Sequence, residues 1–392
     1  VVHKVRSSLA ELLDSIGADP TRPQQIARQF GLNKNLTWKI SKTLCESDPF
    51  SAIQHIPGKP GLNILIRTLL KAGAPAAAID GARASFAEFD NLVATHAGDR
   101  ETLHIMLSNL TDDGEQQRGE AHRRLAFRGN SAIWGVQTKI QLTANFIAPG
   151  EKPDMADLAW LSGLIGFRRL RNDVPWTIAS ARKAVDNGTV LPVGTIEPID
   201  PDHAGDDVAP LVGKFCSKNL PEIRSITTPE GMLRYELSEG PVGNTAAVSC
   251  VVGLFGRSFV QRFRSFDDTI GEHYARLYTP AEMLIHDLFV HEDLDYAMDP
   301  AITLYSHLPG GPIFPAGGRE CGILPLQERV HELGRGPNAV LTPEIPRYRE
   351  MLQNVFDRLD WDVNRFHGYR FKMLYPPVPS LAVLHYPLPD KT

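Results

Sequence analysis

The spacing of the apolar residues changes once along the chain, and that change limits the fold to two parts of different class. Up to Leu110 they recur at helical intervals and are expected in a core: Val5, Leu9, Leu12, Leu13 and Ile16; then Leu62, Ile64, Leu65, Leu69 and Leu70; then Ile79, Ala82, Phe86, Phe89 and Leu92; then Leu103, Ile105, Met106, Leu107 and Leu110. From Ser131 onward Trp134, Val136, Ile140, Leu142, Ala144 and Phe146 alternate with Gln137, Lys139, Gln141, Thr143 and Asn145, a period of two that suits a half-buried strand. The expected fold class is therefore α+β. An all-α N-terminal domain covers residues 1–110, a linker or helix covers 111–130, and a larger mixed α+β region, one domain or two subdomains, covers 131–392. The stretch 111–120, polar and glycine-bearing, marks the border.

Residues 20–45 hold the clearest local pattern in the first part. Thr21 is an expected N-cap, Pro23 suits a first helical turn, Ile26, Ala27 and Phe30 share a face, and Gly31 can end the helix in a left-handed conformation. Asn33 then caps a second helix beginning at Lys34, with Leu36, Ile40 and Leu44 as its buried stripe. At about 100° per residue that stripe turns Lys34, Asn35, Trp38, Ser41 and Lys42 to the opposite side, with Lys39 at the flank. The segment contains five basic residues (Arg22, Arg28, Lys34, Lys39 and Lys42) and no acidic one, in a chain whose formal net charge is −5. A basic island on an acidic protein is what local phosphate attraction needs.

The small Ala27, Gly31 four residues later and the polar start of the second helix resemble the helix-turn-helix module of bacterial transcriptional regulators. The resemblance implies a second helix lying in the major groove of double-stranded DNA, with contacts drawn from Asn33, Lys34, Asn35, Thr37, Trp38, Lys39, Ser41 and Lys42. Lysines would meet phosphates and Asn35 an adenine edge. Trp38, large and apolar, is expected to pack on a neighbouring helix rather than to read a base. The segment lacks a strand pair of the winged subclass. A cytoplasmic homodimer is implied, with the C-terminal region dimerising, sensing a small-molecule effector, or both. The competing class is a metal-dependent or other enzyme, or an assembly protein, carrying the module only as an interaction device.

Composition supports an ordinary globular chain of 392 residues, 42% hydrophobic and 22% charged, too long for one core. The longest apolar run, 245–256, is too short to span a bilayer, and the N-terminal residues read as an amphipathic helix rather than a secretory signal. Cys45, Cys216, Cys250 and Cys321 are scattered, which signals neither a zinc site nor a disulfide framework and suits a reducing cytoplasm. No catalytic residue is assigned and no cofactor is expected, because phosphate-loop, dinucleotide and nucleophile-elbow patterns are all incomplete. The weak metal candidates are His286 and His291, among Asp287, Glu292 and Asp293, with His307 and Cys321 downstream; on a helix their five-residue spacing diverges by about 140°.

In the C-terminal part the patterns predict a helix over 155–167, strands over 176–184, 233–237 and 245–255, and an extended loop over 186–214. Phe259, Phe263 and Phe266 are expected in a core. A strand at 274–278 precedes Thr279, Pro280 and Glu282, a capping-box pattern that predicts a helix through Met283, Leu284, Leu288 and Phe289. A strand at 302–304 leads to a glycine-proline loop over 308–318. A second Thr-Pro-Glu start at Thr342 opens an amphipathic helix, and strands at 369–374 and 381–385 close the chain.

Overall fold

The structure, a computed structural model, describes residues 1–108, 115–182, 196–205, 208–228, 232–266, 269–306, 322–336 and 342–391. The glycine-proline loop expected over 308–318, residues 111–114 of the 111–120 border and part of the 186–214 loop lie outside the described residues, as do His307 and Cys321. The chain divides into two units, Val1–Arg118 and Gly119–Thr392.

The helical spacing of the first unit folds as seven helices: α1 (Val2–Asp14), α2 (Pro23–Phe30), α3 (Lys34–Cys45), α4 (Pro49–Ile53), α5 (Lys59–Lys71), α6 (Ala76–His96) and α7 (Arg100–Ser108). Among the described residues of this unit there is no strand. Val5, Leu9, Leu12 and Leu13 of α1 are buried in one cluster with Leu65 and Leu69 of α5 and Phe86 and Phe89 of α6. Asp99 accepts from the Thr102 amide at 2.7 Å and so caps the N-terminus of α7.

The second unit opens with α8 (Glu115–Trp134), which begins in the first unit and carries its residues from Gly119 on into the second. It is not a free linker: Arg123 is ion-paired with Glu328, Asn130 Nδ2 donates to the Val378 carbonyl at 3.2 Å, and Arg124 lies over the Tyr375 ring. Then follow β1 (Val136–Pro149), β2 (Met155–Arg169), β3 (Trp176–Arg182), β4 (Ile196–Pro198), β5 (Ile223–Thr227), β6 (Met232–Leu237), β7 (Val248–Gln261), β8 (Ile270–Leu277), β9 (Ala281–His291), β10 (Ala301–Ser306), β11 (Val330–Arg335), α9 (Tyr348–Leu359), β12 (Phe366–Leu374) and β13 (Ser380–Pro387). The seven-stranded sheet runs β11-β12-β9-β1-β2-β7-β4, antiparallel except for β1 beside β9; two three-stranded sheets run β10-β13-β8 and β3-β6-β5.

The large sheet is covered on both faces. On one, Tyr348, Met351, Leu352, Val355 and Phe356 of α9 are buried in a cluster with Phe146, Phe289 and Phe366. On the other, Leu284, Leu288 and Phe371 meet Ala275, Leu277, Ala382 and Leu384 of the β10-β13-β8 sheet. A strand covered on both faces needs no polar side, and β9 and most of β2 show no alternation in sequence.

That is why two predicted helices are strands. Residues 155–167 belong to β2, and the segment after the capping-box pattern at Thr279 is β9, paired with β1 and β12. Local propensity favoured a helix, and pairing in the sheet overrode it. Gly163 marks the place in β2: an added Cβ would lie 3.3 Å from Val251 Cγ2 and 3.4 Å from the Cys250 carbonyl oxygen. Five residues expected in a core are exposed instead: Phe266 fully, and Ile64 and Leu70 of α5 and Ile105 and Met106 of α7 by about half, on the outer sides of their helices.

Candidate nucleic-acid interface

Helices α2 and α3 are joined by a three-residue turn whose geometry follows from its residues. Gly31 sits at φ +66°, in the left-handed region, and its amide and that of Leu32 both return to the Ala27 carbonyl. Asn33 caps α3, its side chain accepting from the Asn35 amide at 2.8 Å. Thr21 is not the cap of α2; its amide and hydroxyl both donate to Asp19, and Arg22 occupies the N-cap position, with Pro23 in the first turn. At the far end of α3, Arg6 of α1 donates to the Leu44 and Glu46 carbonyls, both at 2.8 Å. Those carbonyls would otherwise end the helix unpaired.

The buried arc of α3 is wider than the Leu36, Ile40 and Leu44 stripe. Ile40 is buried, Leu36 and Leu44 are half-buried, and Thr37 and Thr43 are buried beside them. Thr37 is therefore withdrawn from the expected contact set: it is 1% exposed, and its hydroxyl donates to the Lys34 carbonyl of its own helix at 3.0 Å. Thr43 does the same to Lys39 at 2.9 Å. A threonine whose hydroxyl is satisfied inside its helix is cheap to bury.

The other expected residues fall on the open side. Asn33, Lys34, Asn35, Trp38, Lys39 and Lys42 are exposed and Ser41 is half-buried. Lys42 lies 3.8 Å from Glu46, a loose ion pair; among the described residues Lys34 and Lys39 have no carboxylate within 4.0 Å. Trp38 remains 47% exposed, its ring edge-on to that of His55, in the turn after α4, at 5.2 Å between centroids.

His55 was not singled out by the sequence. It borders the α3 face: burial lowers its pKa, Glu46 opposes that, and Lys42, Lys39 and His104 add to it. His104, on α7, is lowered likewise by burial, Arg100 and Lys39. The turn carrying His55 is fixed by Arg100, which donates to the Ile56 and Pro57 carbonyls and pairs with Asp90. Lys59, the first residue of α5, lies 3.9 Å from Asp90. Only its order in the folded chain brings that histidine to α3, so no local pattern marks it.

In the second unit the weak metal candidates do not converge. His286 and His291 are both on β9, five residues apart, so strand alternation sends them to opposite faces. His286 is buried with Asn145 Nδ2 3.1 Å from its Nε2, whereas His291 sits at the strand end beside Asp293 and edge-on to Phe366. Among the described residues no group of three or more histidines, cysteines or carboxylates is placed to hold a metal.

Asp287 faces the helix-covered side, bound by Arg370 and by the Tyr348 hydroxyl. Arg168 pairs with Glu282, and Arg169 is buried, donating to the carbonyls of Val174, Leu237 and Ser238, so neither is held open for an anion. A cleft of about 410 Å³ lies between residues 199–203, the turn 212–214 and Asn354 and Arg358 of α9. Its charged groups, Asp200, Asp202, Lys214 and Arg358, are of both signs.

No described helix is long and apolar enough to cross a membrane. Comparison with protein-family models, with curated proteins and with solved structures finds no match to this chain.

Proposed function

We propose that the chain is a sequence-specific DNA-binding transcriptional regulator whose first unit engages double-stranded DNA through the open face of α3. One observation carries the reading: a helix held at its start by Asn33 and at its end by Arg6 presents Lys34, Asn35, Lys39 and Lys42 together to solvent. Lysines at both ends of the face suit phosphates on the two sides of a major groove, and Asn35 near the N-terminus suits an adenine edge. In this reading the second unit serves dimerisation or the sensing of a small-molecule effector, and two α3 helices of a homodimer meet successive major grooves one DNA turn apart.

The test is capture of fragmented genomic DNA by the full chain beside Lys42→Glu. The wild type is expected to enrich discrete sequences that the variant, with unchanged circular dichroism, does not retain. Equal recovery by both proteins, or no enrichment over bulk DNA, contradicts the reading.

A further inference from the structure

Cys216 and Cys250 are 34 positions apart in sequence and lie side by side in the fold. Residues 210–212 and Ser217 bond to the edge of β7 on either side of a tight helical turn at Gly213–Phe215: Gly253 donates to the Pro210 carbonyl at 2.9 Å, Val212 to the Val251 carbonyl at 2.8 Å and Ser217 to the Ser249 carbonyl at 2.8 Å. The Ser249 amide returns a bond to Ser217 Oγ at 2.8 Å, so Ser217 stands opposite Ser249 and Cys216 opposite Cys250. Cys216 Sγ is pinned to the next peptide, 3.3 Å from the Val251 nitrogen and 3.4 Å from its oxygen.

We propose that this pair is a thiol–disulfide site, closed by a hydroperoxide and reopened by a small-molecule thiol, which fastens the turn 213–217 to β7. The two cysteines are suited to different parts. Cys216 is half-buried, whereas Cys250 is 2% exposed. The hydrogen bond from the Cys250 thiol, joined by that from the Val251 amide, holds the Cys216 thiol below its ordinary pKa, against burial and Asp200. Cys250, the donor, is pushed up by that bond and by burial and keeps its proton.

The Cys216 thiolate attacks one peroxide oxygen and the O–O bond breaks. A sulfenic acid forms and the other oxygen leaves, protonated, as alcohol or water. The Cys250 sulfur then attacks the Cys216 sulfur, the S–O bond breaks, and hydroxide leaves with the thiol proton as water. Two thiols and one hydroperoxide give one disulfide, one alcohol or water from the peroxide, and one further water; the sulfurs lose two electrons and the peroxide gains them. Reopening is ordinary exchange with a thiol. Gly213 and Lys214, at the cleft wall, sit on the turn that the bond would fasten. The proposal does not depend on DNA binding.

The full-length protein is exposed to hydrogen peroxide, alkylated under denaturing conditions, digested and mapped by mass spectrometry, with the wild type as the deciding sample. A peptide joining Cys216 to Cys250, lighter by two hydrogens and lost on dithiothreitol treatment, is expected. In Cys250→Ser the Cys216 sulfenic acid is expected to persist and react with dimedone; in Cys216→Ser, Cys250 is expected to stay reduced. The proposal is overturned if both thiols stay free while exposed Cys45 is oxidised, if Cys216 pairs instead with Cys45 or Cys321, or if Cys250 oxidises equally in Cys216→Ser.

Discussion

Asp287 and Arg370 stand directly opposite each other on β9 and β12, and the guanidinium grips both carboxylate oxygens, Nε to Oδ1 at 2.8 Å and a terminal nitrogen to Oδ2 at 2.6 Å. Asp287 is entirely buried and Arg370 nearly so, and the Tyr348 hydroxyl of α9 donates to the same carboxylate at 2.5 Å. Burial works against the charge of Arg370, and its bonds to Asp287 overcome that, holding its proton more tightly than usual.

Removing one partner therefore leaves a buried charge unpaired. Arg370→Met is expected to cost about 3–5 kcal/mol in denaturant unfolding, and Tyr348→Phe, which leaves the ion pair in place, about 1 kcal/mol. The double variant Asp287→Leu, Arg370→Met should recover much of the loss, since two apolar side chains leave no orphan charge. A cost below about 1 kcal/mol for Arg370→Met would show that the pair is not buried as described.

Acid should weaken the fold in two stages. Burial lowers the pKa of His273 to about 4, and burial with repulsion from His273 lowers that of His286 to about 3. An unfolded chain protonates both near pH 6.5. Their contribution is thus complete above about pH 6.5 and is lost as pH falls toward the folded values, by at most about 1.4 kcal/mol per pH unit for each histidine. The loss between pH 7.5 and pH 5.5 should be smaller in His286→Gln than in the wild type; identical losses would count against this assignment.

The second stage belongs to Glu344. Burial raises its pKa, but hydrogen bonds from Lys372 and Thr342 outweigh that and bring it to about 2, from an ordinary 4.5. Its contribution is present above about pH 4.5 and disappears as pH drops through about 2. Lys372→Met should flatten the stability profile over that range and leave the slope above pH 5 unchanged, as followed by urea midpoints.

Gly31→Ala isolates the conformational demand of the turn between α2 and α3. No atom lies within 4 Å of an added Cβ, so only the left-handed φ of +66° is penalised, at about 1 kcal/mol. Arg6→Ala should cost about 1–2 kcal/mol by uncapping α3. Thermal unfolding of both variants checks these values; a neutral Gly31→Ala would mean that the turn is not held in the left-handed region.

How far the fold was legible follows from how each element is covered. The helices of the first unit and α9 face solvent on one side, so a 3.6-residue period survives in their sequences. The period-two run is a strand from Val136 on, legible because Gln137, Lys139, Gln141, Thr143 and Asn145 are polar, although Gln141, Thr143 and Asn145 are in fact buried; its expected start at 131–134, with Trp134, is instead the last turn of α8. β9 and most of β2 offered no such contrast, and a Thr-Pro-Ala-Glu start outvoted the strand. At the interface the wheel placed Lys34, Asn35, Trp38, Ser41 and Lys42 on the outward side with Lys39 at the flank; the structure leaves Ser41 half-buried and the other five exposed. Thr37 entered the expected contact set because a hydroxyl satisfied by its own helix reads as polar in sequence and packs as apolar in the fold. His55, Arg6 and the Cys216–Cys250 pairing depend on contacts between distant segments, which no window of sequence holds.

The account turns most directly on the salt dependence of duplex binding. Affinity for an enriched genomic fragment is measured by fluorescence anisotropy from 50 to 300 mM salt for the wild type, Lys34→Glu and Lys39→Glu. The expected result is a wild-type affinity that falls steeply with salt, and variants that bind more weakly with a slope shallower by about one counterion for each lost phosphate contact. Variants matching the wild type in both affinity and slope, with the fold intact, would contradict DNA recognition by α3.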